Sequence, residues 1–162
     1  MTDEQRLRYK ELKQRYENEI KEKRLKNIKY EFEELGEKLG NNVHIFHIED
    51  EERLNIYEKC FQKIPFSEGG LDKSKLKKFN IYYIKYVGDL CNNEDILKKC
   101  KYKDYYIILG RDFPIIKCEI TEILKNMDDI HDKNYEFTIL LSENFKQFIF
   151  IYHEGDVTIG EI

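Results

Sequence analysis

The stretch Phe148-Ile149-Phe150-Ile151-Tyr152 constrains the fold of this chain more than any other feature. Successive side chains of a strand point to opposite faces. One face therefore carries Phe148, Phe150 and Tyr152, and the other carries Ile149 and Ile151. A strand apolar on both sides has no face to give to water, so it lies inside a sheet covered by helices on at least one side. Its neighbours in sequence supply the adjacent strands. Tyr135–Leu141 precedes it across a short Ser-Glu-Asn-Phe turn, and Asp156–Ile162 follows a His-Glu-Gly-Asp turn in which Gly155 suits a left-handed position. The chain thus closes in a three-strand antiparallel meander whose last strand pairs with the middle one.

Upstream, strand and helix signals alternate. Phe79–Val87 and Asp104–Gly110 are rich in β-branched and aromatic residues and read as strands, the first leading into the core. Phe113–Ile120 either extends the second or pairs with it after a turn at Gly110–Pro114, and Val43–Ile48 is either a short strand or a loop. Helical patterns cover Glu49–Pro65, with Leu54, Tyr57 and Phe61 on one face, and Asn92–Lys101. Thr121–Asp132 reads as one helix, with Ile120, Ile123, Leu124 and Met127 to one side. Phe66–Phe79 is a Gly- and Lys-rich loop.

The first forty residues differ from the rest. They hold no Pro, and no Gly before Gly36. Thr2 with Gln5 has the spacing of a capping box. Leu7, Leu12, Tyr16 and Ile20 follow mostly at four-residue steps, then Ile28, Phe32, Leu35 and Leu39 at four, three and four. The stripe thins near Leu25, so either one long helix or a helical pair forms, and its first half stands away from the body. The fold class is α+β: an antiparallel or mixed sheet ending in the C-terminal meander, packed by helices, with a long N-terminal helix or helical pair. Residues 1–40 form a helical segment, and 41–162 form a single α+β domain.

Apolar residues make up 41% of the 162-residue chain and charged residues 37%. No apolar run approaches the ~20 residues of a membrane helix. The opening residues carry no apolar signal core, which points to a cytoplasmic protein. Cys60, Cys91, Cys100 and Cys118 form no C-x-x-C pair, and so read as reduced, partly buried residues. The formal net charge is −4, unevenly spread. Residues 66–103 carry nine basic and five acidic side chains, and residues 104–162 carry five basic and twelve acidic. Such asymmetry steers a partner rather than setting a fold.

No reaction is named by a motif. His44 and His47 would share a helical face, but on a strand they point apart, and no third ligand stands nearby. No cysteine sits in a protease signature, and Gly36–Asn42 lacks the spacing of a phosphate-binding loop. Lysines interleaved with tyrosines over Leu71–Val87 have the composition of a single-strand nucleic-acid site, which the negative net charge argues against. What remains are acidic clusters: Asp128, Asp129 and Asp132, and Glu154, Asp156 and Glu161. Carboxylates alone give on-rate more than affinity, so a docking surface also needs aromatic anchors. Tyr135 and Phe145, one at each end of the first hairpin strand pair, are placed to serve. The reading is a binding protein with no catalytic residue, metal or cofactor, and with no nucleic-acid or membrane partner; the alternatives are a small enzyme with a cryptic Cys/His site and a regulatory or structural protein that associates through its N-terminal helix.

Residues 119–162 also resemble the C-terminal part of small bacterial immunity proteins from polymorphic-toxin loci of the contact-dependent inhibition kind. The matching residues are Phe137, Ile139, Ser142, Asn144, His153, Asp156 and Gly160. Phe148 stands where such proteins usually carry Trp. The resemblance implies neutralisation of a cognate toxin domain by binding and occluding its active site. An acidic immunity protein of this kind implies a basic toxin.

Overall fold

A computed structural model describes residues 1–68, 70–134 and 136–162. Nine strands and five α-helices alternate along the described chain. Helix α1 (Asp3–Lys38) is followed by β1 (His44–Phe46), α2 (Glu51–Lys63), and the two-residue strands β2 (Phe66–Ser67) and β3 (Gly70–Leu71). Then come β4 (Phe79–Tyr83), α3 (Glu94–Lys99), β5 (Asp104–Ile108) and β6 (Ile115–Glu119). The chain continues through α4 (Ile120–Lys125), α5 (Met127–His131), β7 (Phe137–Ser142), β8 (Gln147–Tyr152) and β9 (Asp156–Glu161). Seven strands form one sheet in the order β1-β6-β5-β7-β8-β9-β4, every neighbouring pair antiparallel. β2 and β3 pair separately as a small hairpin.

The double-sided strand is β8, fully flanked, with Leu140 opposite Ile149 on β7 and Ile159 opposite it on β9. Both of its faces are covered. Ile149 and Ile151 join a core built with Leu90, Ile96, Ile123 and the last turns of α1 through Phe32, Leu35 and Leu39. Phe148 and Phe150 join a second core beneath α2, with Ile56, Cys60, Ile64 and Phe46. An all-antiparallel sheet between two helical layers is the result. Phe113–Ile120 pairs back on β5, and Val43–Ile48 contributes the edge strand β1.

α1 is one unbroken helix, opened by the capping box: Gln5 N donates to Thr2 Oγ1 (3.3 Å) and Thr2 N to Gln5 Oε1 (2.9 Å). Residues 1–27 are all exposed, and the helix meets the sheet only from Ile28 onward.

Three local expectations are corrected. The segment expected as one helix over Thr121–Asp132 breaks at Asn126, whose Nδ2 donates to Glu122 O (2.8 Å) while its own N–H turns to Ile123 O (3.1 Å). The side chain thus takes the carbonyl that Asn126's own N–H would have used in a continuing helix. The buried face of α2 is Arg53, Ile56 and Cys60 rather than Leu54, Tyr57 and Phe61; Leu54 and Phe61 stay 39% and 37% exposed. Finally, β4 is an edge strand paired only with β9, with Phe79, Ile81 and Tyr83 exposed, rather than a core strand.

Candidate docking surface

Antiparallel pairing brings the start of β7, the end of β8 and the start of β9 to one end of the sheet. His153 N donates to Glu136 O (3.3 Å) and Gly155 N to Tyr152 O (3.1 Å). Gly155 takes φ 92°, and a Cβ there would stand 2.2 Å from Ile84 O, so the β8–β9 turn can press onto the end of β4 only with glycine. α5 lies over this end. His131 Nδ1 stands 3.5 Å from Thr138 Oγ1. Burial pushes the His131 imidazole below its ordinary pKa. Asp132 and Asp128 oppose that shift, and His153 reinforces it. Residues from two separate stretches of chain therefore act on one another here.

Glu154 Oε1 lies 3.7 Å from His153 Nε2. His153, Glu154 and Asp156 form one wall of a shallow groove, and Ser67, Leu71, Asp72 and Lys73 the other. Asp128, Asp132, Glu136 and Glu154 are exposed and Asp156 half-buried. Asp129 is drawn aside by Lys38, whose Nζ is 3.3 Å from its Oδ1. Four of the anticipated carboxylates, Asp128, Asp132, Glu154 and Asp156, thus stand at one end of the sheet.

The remaining anticipated residues lie elsewhere. Phe145 sits in the β7–β8 turn, at the opposite end, half-buried at φ 58°. Its ring is 5.8 Å from that of Tyr106, and Lys59 Nζ lies 5.3 Å from its centroid. The turn is built by side chains: Ser142 Oγ accepts from Gln147 N (2.9 Å) and Lys146 N (3.1 Å) and donates to Asn144 Oδ1 (2.8 Å). Glu161 ends β9 at that same far end, where Lys101 and Lys78 neutralise it; the hydrogen bond from Lys101 is the main cause holding its carboxyl below the usual range. Tyr135 lies outside the described residues.

Sequence reasoning missed Glu136, Asp72 and the meeting of His131 with His153. The first was available in principle: a hairpin register that pairs Phe137 with Tyr152 sets Glu136 beside His153. Asp72 carried no such signal, because its place depends on how the β2–β3 hairpin lies against the sheet.

The other candidate chemistries resolve locally. His44 turns to the side of Phe46, with ring centroids 4.2 Å apart, while His47 Nε2 lies 3.9 Å from Glu33 Oε1 of α1. His47 lies just past the end of β1, and the two imidazoles take different neighbours. Among the described residues, no group of three or more His, Cys, Asp and Glu is placed to hold a metal. Burial pushes the Cys60 thiol up to about 12 and those of Cys100 and Cys118 up to about 11, so at neutral pH these three are thiols rather than nucleophilic thiolates. Among the described residues, no helix is long and apolar enough to cross a membrane.

An antiparallel sheet covered by helices on both faces places the chain among α+β proteins. The sequence pattern defining the family described as "CdiI immunity protein EcoliA0-like" matches residues 30–160, and the chain belongs to that family. The match takes in every strand of the sheet, to the penultimate residue of β9, but only the end of α1 from Tyr30 onward, and reaches well beyond the 44 C-terminal residues on which the resemblance was read. No curated protein matches the chain.

Proposed function

We propose that the protein neutralises a cognate toxin domain by stoichiometric binding in the cytoplasm, making and breaking no bond itself. The toxin is basic and docks on the end of the sheet that carries Asp128, Asp132, Glu136, Glu154 and Asp156. Family membership supports the immunity role. The surface assignment rests on one observation: two acidic stretches more than twenty residues apart converge around His131 and His153.

Carboxylates grouped on a sheet end raise the local concentration of a cationic partner and speed its encounter. The groove between the β8–β9 turn and the β2–β3 hairpin adds Leu71 and Tyr152, apolar surface that an approaching side chain can desolvate. A protein bound over a nuclease-like cleft excludes substrate simply by occupying the space, and carboxylates at phosphate positions match the charge such a cleft recognises.

The test is co-expression with the toxin domain encoded beside its gene, followed by co-purification at several salt concentrations. The wild type is expected to rescue growth and form a one-to-one complex. The variant Asp128→Asn/Asp132→Asn/Glu154→Gln/Asp156→Asn is expected to bind at least about tenfold more weakly, chiefly through a slower on-rate, and to lose most of the salt dependence. Rescue with unchanged affinity in that variant would move the interface elsewhere. No rescue and no complex by the wild type would remove the proposal.

A further inference from the structure

The part of α1 that leaves the body is unexplained by the sheet and by the toxin-docking end, and it lies before the residues that define the family. Every residue from Asp3 to Asn27 is exposed, including Leu12 (61%), Tyr16 (66%) and Ile20 (50%), which follow one another at four-residue steps and so share a face. Only Leu25 and Lys26 of this stretch border the body, in a groove shared with His47–Glu49, and a helical arm that buries no side chain is marginal in water, because helices in proteins are stabilised mainly by packing an apolar face.

The charge pattern of the arm says what that face fits. Counted outward from Tyr16, Arg15 is mirrored by Glu17, Lys13 by Glu19, Glu11 by Lys21 and Lys10 by Glu22. At the remaining steps Gln14 mirrors Asn18 and Leu12 mirrors Ile20. For six residues on each side, charge answers opposite charge, amide answers amide and apolar answers apolar. Within one helix this symmetry has little use; Lys13 and Glu17 make a 4.0 Å exposed pair and nothing more. Between two antiparallel copies it has a direct consequence. Residue 16−k of one copy then stands level with residue 16+k of the other, so every charged level in the central thirteen residues is complementary. A parallel pair would instead set Arg15 beside Arg15 and Glu19 beside Glu19.

We propose that the N-terminal arm of α1 is a self-association element: two copies pair antiparallel about a two-fold axis at Tyr16. The stripe Leu12, Tyr16, Ile20 forms the seam, with Lys13 and Arg15 of each copy facing Glu17 and Glu19 of the second. The geometry leaves room for it. Ile28, where the helix first meets the sheet, is twelve residues from the axis, about 18 Å along the helix. The two bodies therefore hang at opposite ends of the pair. The acidic end of the sheet is not used, so self-association is independent of the toxin reading.

The test uses the full chain and two charge variants, Lys13→Glu/Arg15→Glu and Glu17→Lys/Glu19→Lys. All four positions are exposed, and unchanged thermal unfolding of the body checks that each variant folds. Sedimentation equilibrium of the wild type is expected to show a species of twice 19.7 kDa. Each variant alone, with like charges at the mirrored levels, is expected to dissociate with a Kd at least about tenfold higher. A one-to-one mixture of the two variants is expected to restore the dimer, because the acidic arm complements the basic one. Three results would each overturn the proposal: a wild type that stays at 19.7 kDa at every concentration, a dimer insensitive to both variants, or a mixture that fails to pair. A monomeric wild type that loses toxin binding in the variants would likewise overturn it and assign the arm to the toxin.

Discussion

Phe148 and Gly160 face each other across the β8–β9 ladder, and the phenyl ring occupies the space a side chain at 160 would need. A Cβ on Gly160 would stand 2.5 Å from both Cε1 and Cζ of Phe148. The ring is wholly buried among the second core and has nowhere to swing. Gly160→Ala is therefore an overpacking change and is expected to destabilise the fold by about 2 kcal/mol. In a Phe148→Leu background, which costs about 1–2 kcal/mol itself, the added cost of Gly160→Ala should fall by half or more. Urea unfolding of the four proteins in a double-mutant cycle checks this; additive costs would show that the two positions do not compete for the space.

The far end of the sheet is held by a buried amide. Gln147 Oε1 accepts from Lys101 N (3.0 Å) and from the Tyr105 hydroxyl, and its Nε2 donates to Lys99 O (2.7 Å). Gln147→Leu keeps the volume but strands a hydroxyl, an N–H and a carbonyl in an apolar setting, at an expected cost of about 3 kcal/mol. Tyr105→Phe removes one donor and leaves the Lys101 bond intact, so about 1 kcal/mol is expected. Equal losses in chemical denaturation would contradict this hub.

The face of α2 gives a third prediction and shows where sequence reading stops. Leu54, Tyr57 and Phe61 are the most apolar stripe of this helix, yet the sheet takes the neighbouring one. Ile56 and Cys60 are buried, and Arg53 is held there by three carbonyls: Nε to Ile48 O (3.2 Å), Nη1 to Arg111 O (2.6 Å) and to Phe113 O (3.2 Å). Ile56→Ala is expected to cost about 3 kcal/mol, and Leu54→Ala, at 39% exposure, under about 1 kcal/mol. Thermal unfolding that ranked the two in the other order would restore the sequence-derived face.

Much of the sheet was legible because β8 admits only a central place, and short turns leave its neighbours no choice but antiparallel pairing. Periodicity marks which residues of α2 are apolar. It carries no information that an arginine will satisfy loop carbonyls from Ile48 and the β5–β6 turn, since those carbonyls come from segments near and far in sequence. The break at Asn126 was hidden for a related reason: one asparagine, though a weak helix former, does not by itself end a helix, and only its bond to Glu122 O reveals the interruption. For the proposed docking surface, composition gave the carboxylates but not their positions. Hairpin register separates Phe145 from Glu154 and Asp156 by the full length of β8. The helix–sheet packing that sets His131 against Thr138 and within electrostatic reach of His153 leaves no local trace.

His131 links that surface to pH. Its imidazole is partly buried against Thr138, and burial holds its pKa in the folded protein below the ordinary 6.5, even though Asp132 and Asp128 pull the other way. The folded chain thus binds this proton less readily than the unfolded chain. The contribution of His131 is fully present above about pH 6.5 and is lost as pH falls through the lowered folded value, below which it is constant. Between about pH 7.5 and about pH 5.5, where ordinary carboxylates stay ionised, stability should decline on acidification. His131→Gln removes the titration, so its stability curve over that window should be flatter. Denaturant midpoints at several pH values for both proteins decide the matter; equal slopes would mean that His131 is as solvated in the folded chain as in the unfolded one.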